Sequence, residues 1–79
     1  MGNIILWDAE LNKEYIVENI LLENTVSRRL EALGINEGTP ITVLTRKRSG
    51  ALIAKIRGTR LALGKYITSN IEVKEVKKC

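Results

Sequence analysis

Five glycines at positions 34, 38, 50, 58 and 64 cut the second half of this chain into short pieces. Their spacing suits short elements joined by tight turns. The length tightens the constraint, because a chain of 79 residues buries only about 60% of its unfolded surface. One domain over residues 1–79 with a single thin core is therefore expected. Trp7, Tyr15 and Tyr66 are the only aromatic rings, so that core must be built from Ile, Leu and Val.

The segments between the turn signals can be read in order. Residues 14–22 (EYIVENILL) are rich in β-branched and apolar types and read as a strand, with imperfect alternation that leaves its inward face open. Residues 25–33 read as a short helix, with Asn24 as N-cap and Val26, Leu30 and Leu33 on one face. Gly34 suits the position after the helix, where positive φ is needed, and Ile35 can then fold back on Leu30 or Leu33. Gly38-Thr39-Pro40 makes a turn into a strand at 41–46, with Ile41, Val43 and Thr45 on one side and Thr42, Leu44 and Arg46 on the other. After a loop at 47–50, residues 51–57 form a strand whose Leu52, Ala54 and Ile56 share a face. Gly58-Thr59 is expected to be the two-residue hairpin connection into 60–63. A helical turn over about 64–69 and a strand over 70–76 complete the series, with residues 77–79 frayed. The fold class is mostly β: a small barrel of about five strands with one short helix.

Chemistry finds few footholds. The chain has no histidine, so it lacks the usual general base and imidazole ligand. Its glycines form neither a dinucleotide fingerprint nor a phosphate loop. Asp8 and Glu10 alone make a poor oxygen site, and the lone Cys79 provides no pair for a disulfide or a metal. No catalytic residues, metal site or cofactor are expected. No apolar run approaches the roughly 20 residues that span a bilayer. Met1 to Leu6 lacks a basic region and a cleavage site, so a cytoplasmic location is expected.

Charge is the more informative property. Residues 1–37 carry three bases against seven acids, net −4, and residues 38–79 carry ten bases against two acids, net +8. Arg46, Lys47 and Arg48 form a basic run, and Lys55, Arg57 and Arg60 follow on the next hairpin. Arg28 and Arg29 are paired on the helix. Such asymmetry points either to a solvated surface or to an anionic partner. A small barrel with these bases could neutralise nucleic-acid phosphates. No aromatic side chains are interleaved with them for base stacking, however, which favours a protein partner.

The string Arg28-Arg29-Leu30, Leu33-Gly34-Ile35, Gly38-Thr39-Pro40-Ile41 and Val43 resembles the signature of the ferrous iron transport protein A (FeoA) family. Ile56-Arg57-Gly58, Leu61-Ala62-Leu63 and Ile71-Glu72-Val73 resemble its later blocks, so the likeness runs over roughly residues 25–75. Asn12-Lys13 stands where members often carry Pro-Gly, and Gly64 where a larger residue is frequent. The role of Ile4, Ile5, Leu6 and Trp7 stays open. The resemblance implies an SH3-like barrel in the cytosol, acting as an accessory that docks on the FeoB ferrous-iron transporter. The same fold forms the C-terminal domain of metal-dependent repressors. This chain holds no winged-helix or dimerisation segment, so the accessory role is the expected one. On that reading Arg28, Arg29, Arg46, Lys47 and Arg48 are the candidate partner-binding residues. Leu30, Leu33, Gly34, Gly38 and Gly58 form the structural motif.

Overall fold

The computed structural model describes residues 3–76; the expectation for the tail at 77–79 lies outside the described residues. Six strands form one antiparallel sheet: β1 (Ile4–Ile5), β2 (Glu14–Ile20), β3 (Pro40–Arg46), β4 (Ala51–Ile56), β5 (Thr59–Gly64) and β6 (Ile71–Glu75). The sheet order is β1-β6-β2-β3-β4-β5. The mostly-β class holds, with β1 as the strand beyond the expected five. The ladder does not close into a hydrogen-bonded barrel, for β5 and β1 remain its two edges. A short helix, α2 (Lys65–Thr68), packs on β4, β5 and a 3₁₀ turn at Leu6–Asp8, and that turn packs on β6. These two pieces close the core where the ladder stays open, while Arg60 and Ala62 of β5 remain exposed.

Period-two alternation delivers the core. Tyr15 and Val17 of β2, Ile41 and Val43 of β3, Leu52, Ala54 and Ile56 of β4, Leu63 of β5, and Ile71 and Val73 of β6 are all buried. Leu6 from the 3₁₀ turn joins them, with Trp7 packed beside. The Tyr15 hydroxyl accepts a hydrogen bond from the Glu10 backbone N–H at 3.0 Å, which satisfies the one polar atom of the largest buried side chain.

Two bulges alter the simple alternation. Between Val17 and Asn19 the register of β2 against β6 shifts by one residue, and the same happens in β3 against β4 between Val43 and Thr45. Each bulge bends its strand and sharpens the twist. Beyond it, the residues exchange faces. Thr45 therefore lies opposite Ile53 and is exposed, while Arg46 lies opposite Leu52 and is half-buried. The expected grouping of Thr45 with Ile41 and Val43, and of Arg46 with Thr42 and Leu44, does not hold, because the bulge at Leu44 inserts one residue that alternation along the sequence cannot register.

The long helix, α1, spans Asn24–Ala32. Its N-cap is Glu23 with no side-chain capping bond, so Asn24 is the first helical residue and not the cap. The Ser27 hydroxyl donates to the Leu22 carbonyl at 3.2 Å and helps fix the entry to the helix. Its C-terminus ends as expected: Gly34 adopts φ +92°, the Gly34 N–H donates to the Glu31 carbonyl and the Ile35 N–H to the Leu30 carbonyl. This Schellman arrangement turns Ile35 back into the core beside Leu30. Leu33, expected on the docked face, is 52% exposed instead, and Val26 is half-buried. Leu30 is the only fully buried residue of α1. A helix of nine residues is not stable alone, so its place on the sheet depends on this one side chain and on Ile35.

The β4–β5 hairpin turns on Arg57-Gly58, with Ile56 opposite Thr59, one residue earlier than the expected Gly58-Thr59. Both turn residues have positive φ, +53° for Arg57 and +81° for Gly58. This is the type I′ geometry, whose twist matches that of the flanking strands. The twist match favours this register although it holds an arginine in the left-handed region.

Two outcomes test this packing. Leu30→Ala is expected to cost about 2–5 kcal/mol, seen as a lowered melting temperature; a wild-type melt would show that α1 is not anchored there. Arg57→Asn places a residue tolerant of positive φ in the turn, and thermal denaturation is expected to show a gain of about 0.5–1 kcal/mol.

Candidate protein-docking surface

The five candidate bases fall into three environments. Arg28 and Arg29 project from α1 and are exposed. Arg29 lies in the last turn, where a cation is favoured by the partial negative charge of the helix end. Lys47 and Arg48 are exposed in the β3–β4 loop. That loop is held by the Lys47 N–H donating to the Ala51 carbonyl at 2.7 Å and the Gly50 N–H donating to the Lys47 carbonyl at 3.0 Å. Gly50 has φ +102°, so a tight turn presents both side chains outward.

Arg46 stands apart from this set. The bulge at Leu44 turns it inward, and its guanidinium donates to the Trp7 carbonyl at 2.9 Å and to the Ala9 carbonyl. It therefore ties the 3₁₀ turn after β1 to the end of β3, and is already engaged in holding the fold together. Lys65 lies 5.3 Å from the centre of the Trp7 ring on the same seam, a cation–π contact from α2.

The remaining bases of the hairpin are all exposed. The one-residue turn shift sets Lys55 directly opposite Arg60; the turn expected from sequence would have set Arg57 there. Arg57 instead lies against Gly34, with its Cδ 3.6 Å from where a Cβ on Gly34 would stand. The missed signal is local: Arg57-Gly58 could have been weighed as the turn, and the pairing of Lys55 with Arg60 follows from it.

Neutralisation of these charges is sparse. Among the described residues, ion pairs form only at Lys13, with Glu10 at 2.7 Å and with Glu75. Hydrogen bonding to these carboxylates raises the Lys13 pKa, and the same contact lowers that of Glu10. The Glu10 contribution is present above the usual carboxylate pKa and is lost as acid protonates it in the folded state. The Lys13 contribution is present below the ordinary lysine pKa and is lost as base deprotonates the folded form. Between α2 and the N-cap of α1, the Glu23 carboxylate raises the Tyr66 pKa by its charge and by accepting the phenol hydrogen bond at 3.2 Å. No group of three or more acidic, Cys or His side chains positioned to hold a metal occurs among the described residues. No described helix is long and apolar enough to cross a membrane.

Replacing Arg46 by Met keeps the aliphatic stem and leaves two carbonyls without their charged donor. The expected cost is about 1.5–3 kcal/mol, with a change in Trp7 fluorescence. Unchanged stability and emission would show that the Arg46 bonds do not hold the seam.

Known structures share this arrangement. A crystal structure described as an iron uptake regulatory protein (FeoA) superposes with TM-score 0.86 at 27% identity, covering 95% of this chain and 100% of that one. The solution structure of a FeoA-like protein from Clostridium acetobutylicum gives TM-score 0.83 at 25% identity, covering 100% of this chain and 93% of that one. A manganese-dependent transcriptional repressor gives TM-score 0.87 at 21% identity, with 95% of this chain on 42% of that one, a likeness of fold alone. No curated protein sequence matches. The FeoA domain model matches residues 5–75, which takes in Ile5 at the end of β1 and the whole 3₁₀ turn as well as the segments that carried the resemblance. With its SH3-like sheet and a match over nearly its whole length, the chain belongs to the FeoA domain family.

Proposed function

We propose that this chain is a single-domain, non-catalytic accessory of ferrous iron uptake that docks on the cytosolic part of a FeoB-type transporter through exposed basic side chains. The family ties the chain to ferrous iron uptake. The observation that carries docking is the set of exposed bases without ion-pair partners among the described residues: Arg28 and Arg29 on α1, and Lys47 and Arg48 on the β3–β4 loop. An acidic patch on the partner would supply the missing neutralisation. Charge at such an interface acts mainly on encounter rate and on the choice of partner. On this reading the protein holds no iron itself, since its carboxylates are dispersed and it has no histidine.

Two charge reversals test the reading. Arg28→Glu with Arg29→Glu alters the helix, and Lys47→Glu with Arg48→Glu alters the loop; circular dichroism checks that each variant folds. At least one pair is expected to weaken capture by the transporter's cytosolic domain at low salt. Wild-type association should slow as ionic strength rises to where the Debye length is about 8 Å. Wild-type binding by both variants at low salt would overturn the charged-docking proposal.

A further inference from the structure

The β5 edge of the sheet has the hydrogen-bonding groups, the length and the charge of a strand-accepting site. A two-residue turn at Arg57-Gly58 makes Ile56 and Thr59 a hydrogen-bonded pair, and the pairing then alternates along the hairpin. Leu61 and Leu63 therefore bond to β4. The N–H and C=O groups of Arg60 and Ala62, and the N–H of Gly64, point away from it. Two observations agree with this parity. The Ala51 carbonyl, opposite Gly64, accepts from Lys47 on the β3 side, and the Gly64 carbonyl accepts from the Thr68 hydroxyl at 3.1 Å on the far side of β5.

Edge strands are usually blunted by shortness, proline or a bulge. The opposite edge, β1, has only two residues. By contrast, β5 has six, contains no proline and keeps an unbroken register against β4 from Ala51–Gly64 to Ile56–Thr59. Its outward side chains are Arg60 and Ala62, both exposed.

The charges on this face show what chemistry would fit. Reading across the outer face, the paired residues run Glu14, Thr42, Lys55, Arg60. Lys55 has Thr42 on one side and Arg60 on the other, so no carboxylate adjoins either base. Like charges directly opposite one another across a strand pair are unfavourable. The next place in the row, beyond Arg60, is where an added strand would set a side chain.

From these facts we infer that β5 accepts an extended acidic segment of another protein as a seventh strand, with a carboxylate beside Arg60. Main-chain bonds to Arg60, Ala62 and Gly64 supply the attachment, and the Lys55–Arg60 pair selects for negative charge. A second copy fits less well, because it would bring another chain of net charge +4 to the same edge. The inference does not depend on which protein supplies the segment, so it stands or fails apart from the transporter proposal.

The test uses the whole chain and a synthetic peptide of about ten residues alternating Glu with Val. A Lys-for-Glu version of the peptide, and single-stranded oligothymidylate, serve as competing probes. Binding of the acidic peptide is expected to slow amide exchange at Arg60, Ala62 and Gly64. Ala62→Pro removes an outward N–H without touching the β4 ladder and should weaken binding about tenfold or more. Arg60→Glu makes an attractive pair with Lys55, so it should raise the melting temperature by about 2–8 °C while abolishing binding. That opposite movement separates a binding role from a structural one. The inference is overturned by no acidic-peptide binding at about 1 mM, by protection elsewhere, or by equal binding to Ala62→Pro. It is also overturned if oligothymidylate displaces the peptide, or if sedimentation shows a wild-type dimer that Ala62→Pro dissolves.

Discussion

A sheet of six short strands can enclose an aliphatic core only if it bends, and the bulges at Glu18 in β2 and Leu44 in β3 are where it does so. Each inserts a residue that has no partner on the neighbouring strand, and each lies next to a buried valine, Val17 or Val43. The bend brings β4 and β5 round to α2, which packs on both strands and on the 3₁₀ turn at Leu6–Asp8. The edges do not meet in hydrogen bonds, so the remaining seam must be covered by side chains. Leu6, Trp7, α2 and the inward-turned Arg46 do this over the core, and Arg60 and Ala62 on the β5 edge itself stay exposed. The bulge at Leu44 thus serves two ends: it bends β3, and it aims the guanidinium at the backbone carbonyls that the 3₁₀ turn leaves free.

That assignment changes how the basic character of the chain should be understood. Arg46 is engaged within the fold, Lys65 sits over Trp7 and Lys13 is paired with carboxylates. Among the described residues and apart from Lys74 on β6, the exposed bases left over are divided between α1, the β3–β4 loop and the β4–β5 hairpin. These are different kinds of surface. The helix and the loop offer long flexible side chains, which suit long-range attraction and partner choice. The hairpin adds an open row of backbone donors and acceptors, which gives direction and register to whatever binds. Leu30 and Ile35 hold α1 on the sheet.

The sequence and the structure agree wherever the deciding interaction is local. The Schellman turn at Gly34 and Ile35 was legible because positive φ and an apolar residue after it are read from adjacent positions. The inward faces of β4 and of the start of β3 were legible because alternation there is uninterrupted. Leu33 was misplaced because helical spacing puts it on the same stripe as Leu30, whereas the chain leaves the helix at that residue. Asn24 was misplaced as a cap because residue preference alone does not show where the first helical turn begins.

By itself, the sequence determined the mostly-β class, the aliphatic core, the ending of the helix, the surplus of positive charge in the second half and the family signature. All of these rest on residue type or on neighbours close along the chain. Only the tertiary structure decided the positions of the two bulges, the turn at Arg57-Gly58 and the opening of the sheet between β5 and β1. Each of these is a choice of register, settled by how strands distant in sequence pack over a shared core. A slip of one residue in such a choice reverses every side chain beyond it. That is why Arg46 is held inside the fold, and why Lys55 stands opposite Arg60 on its surface.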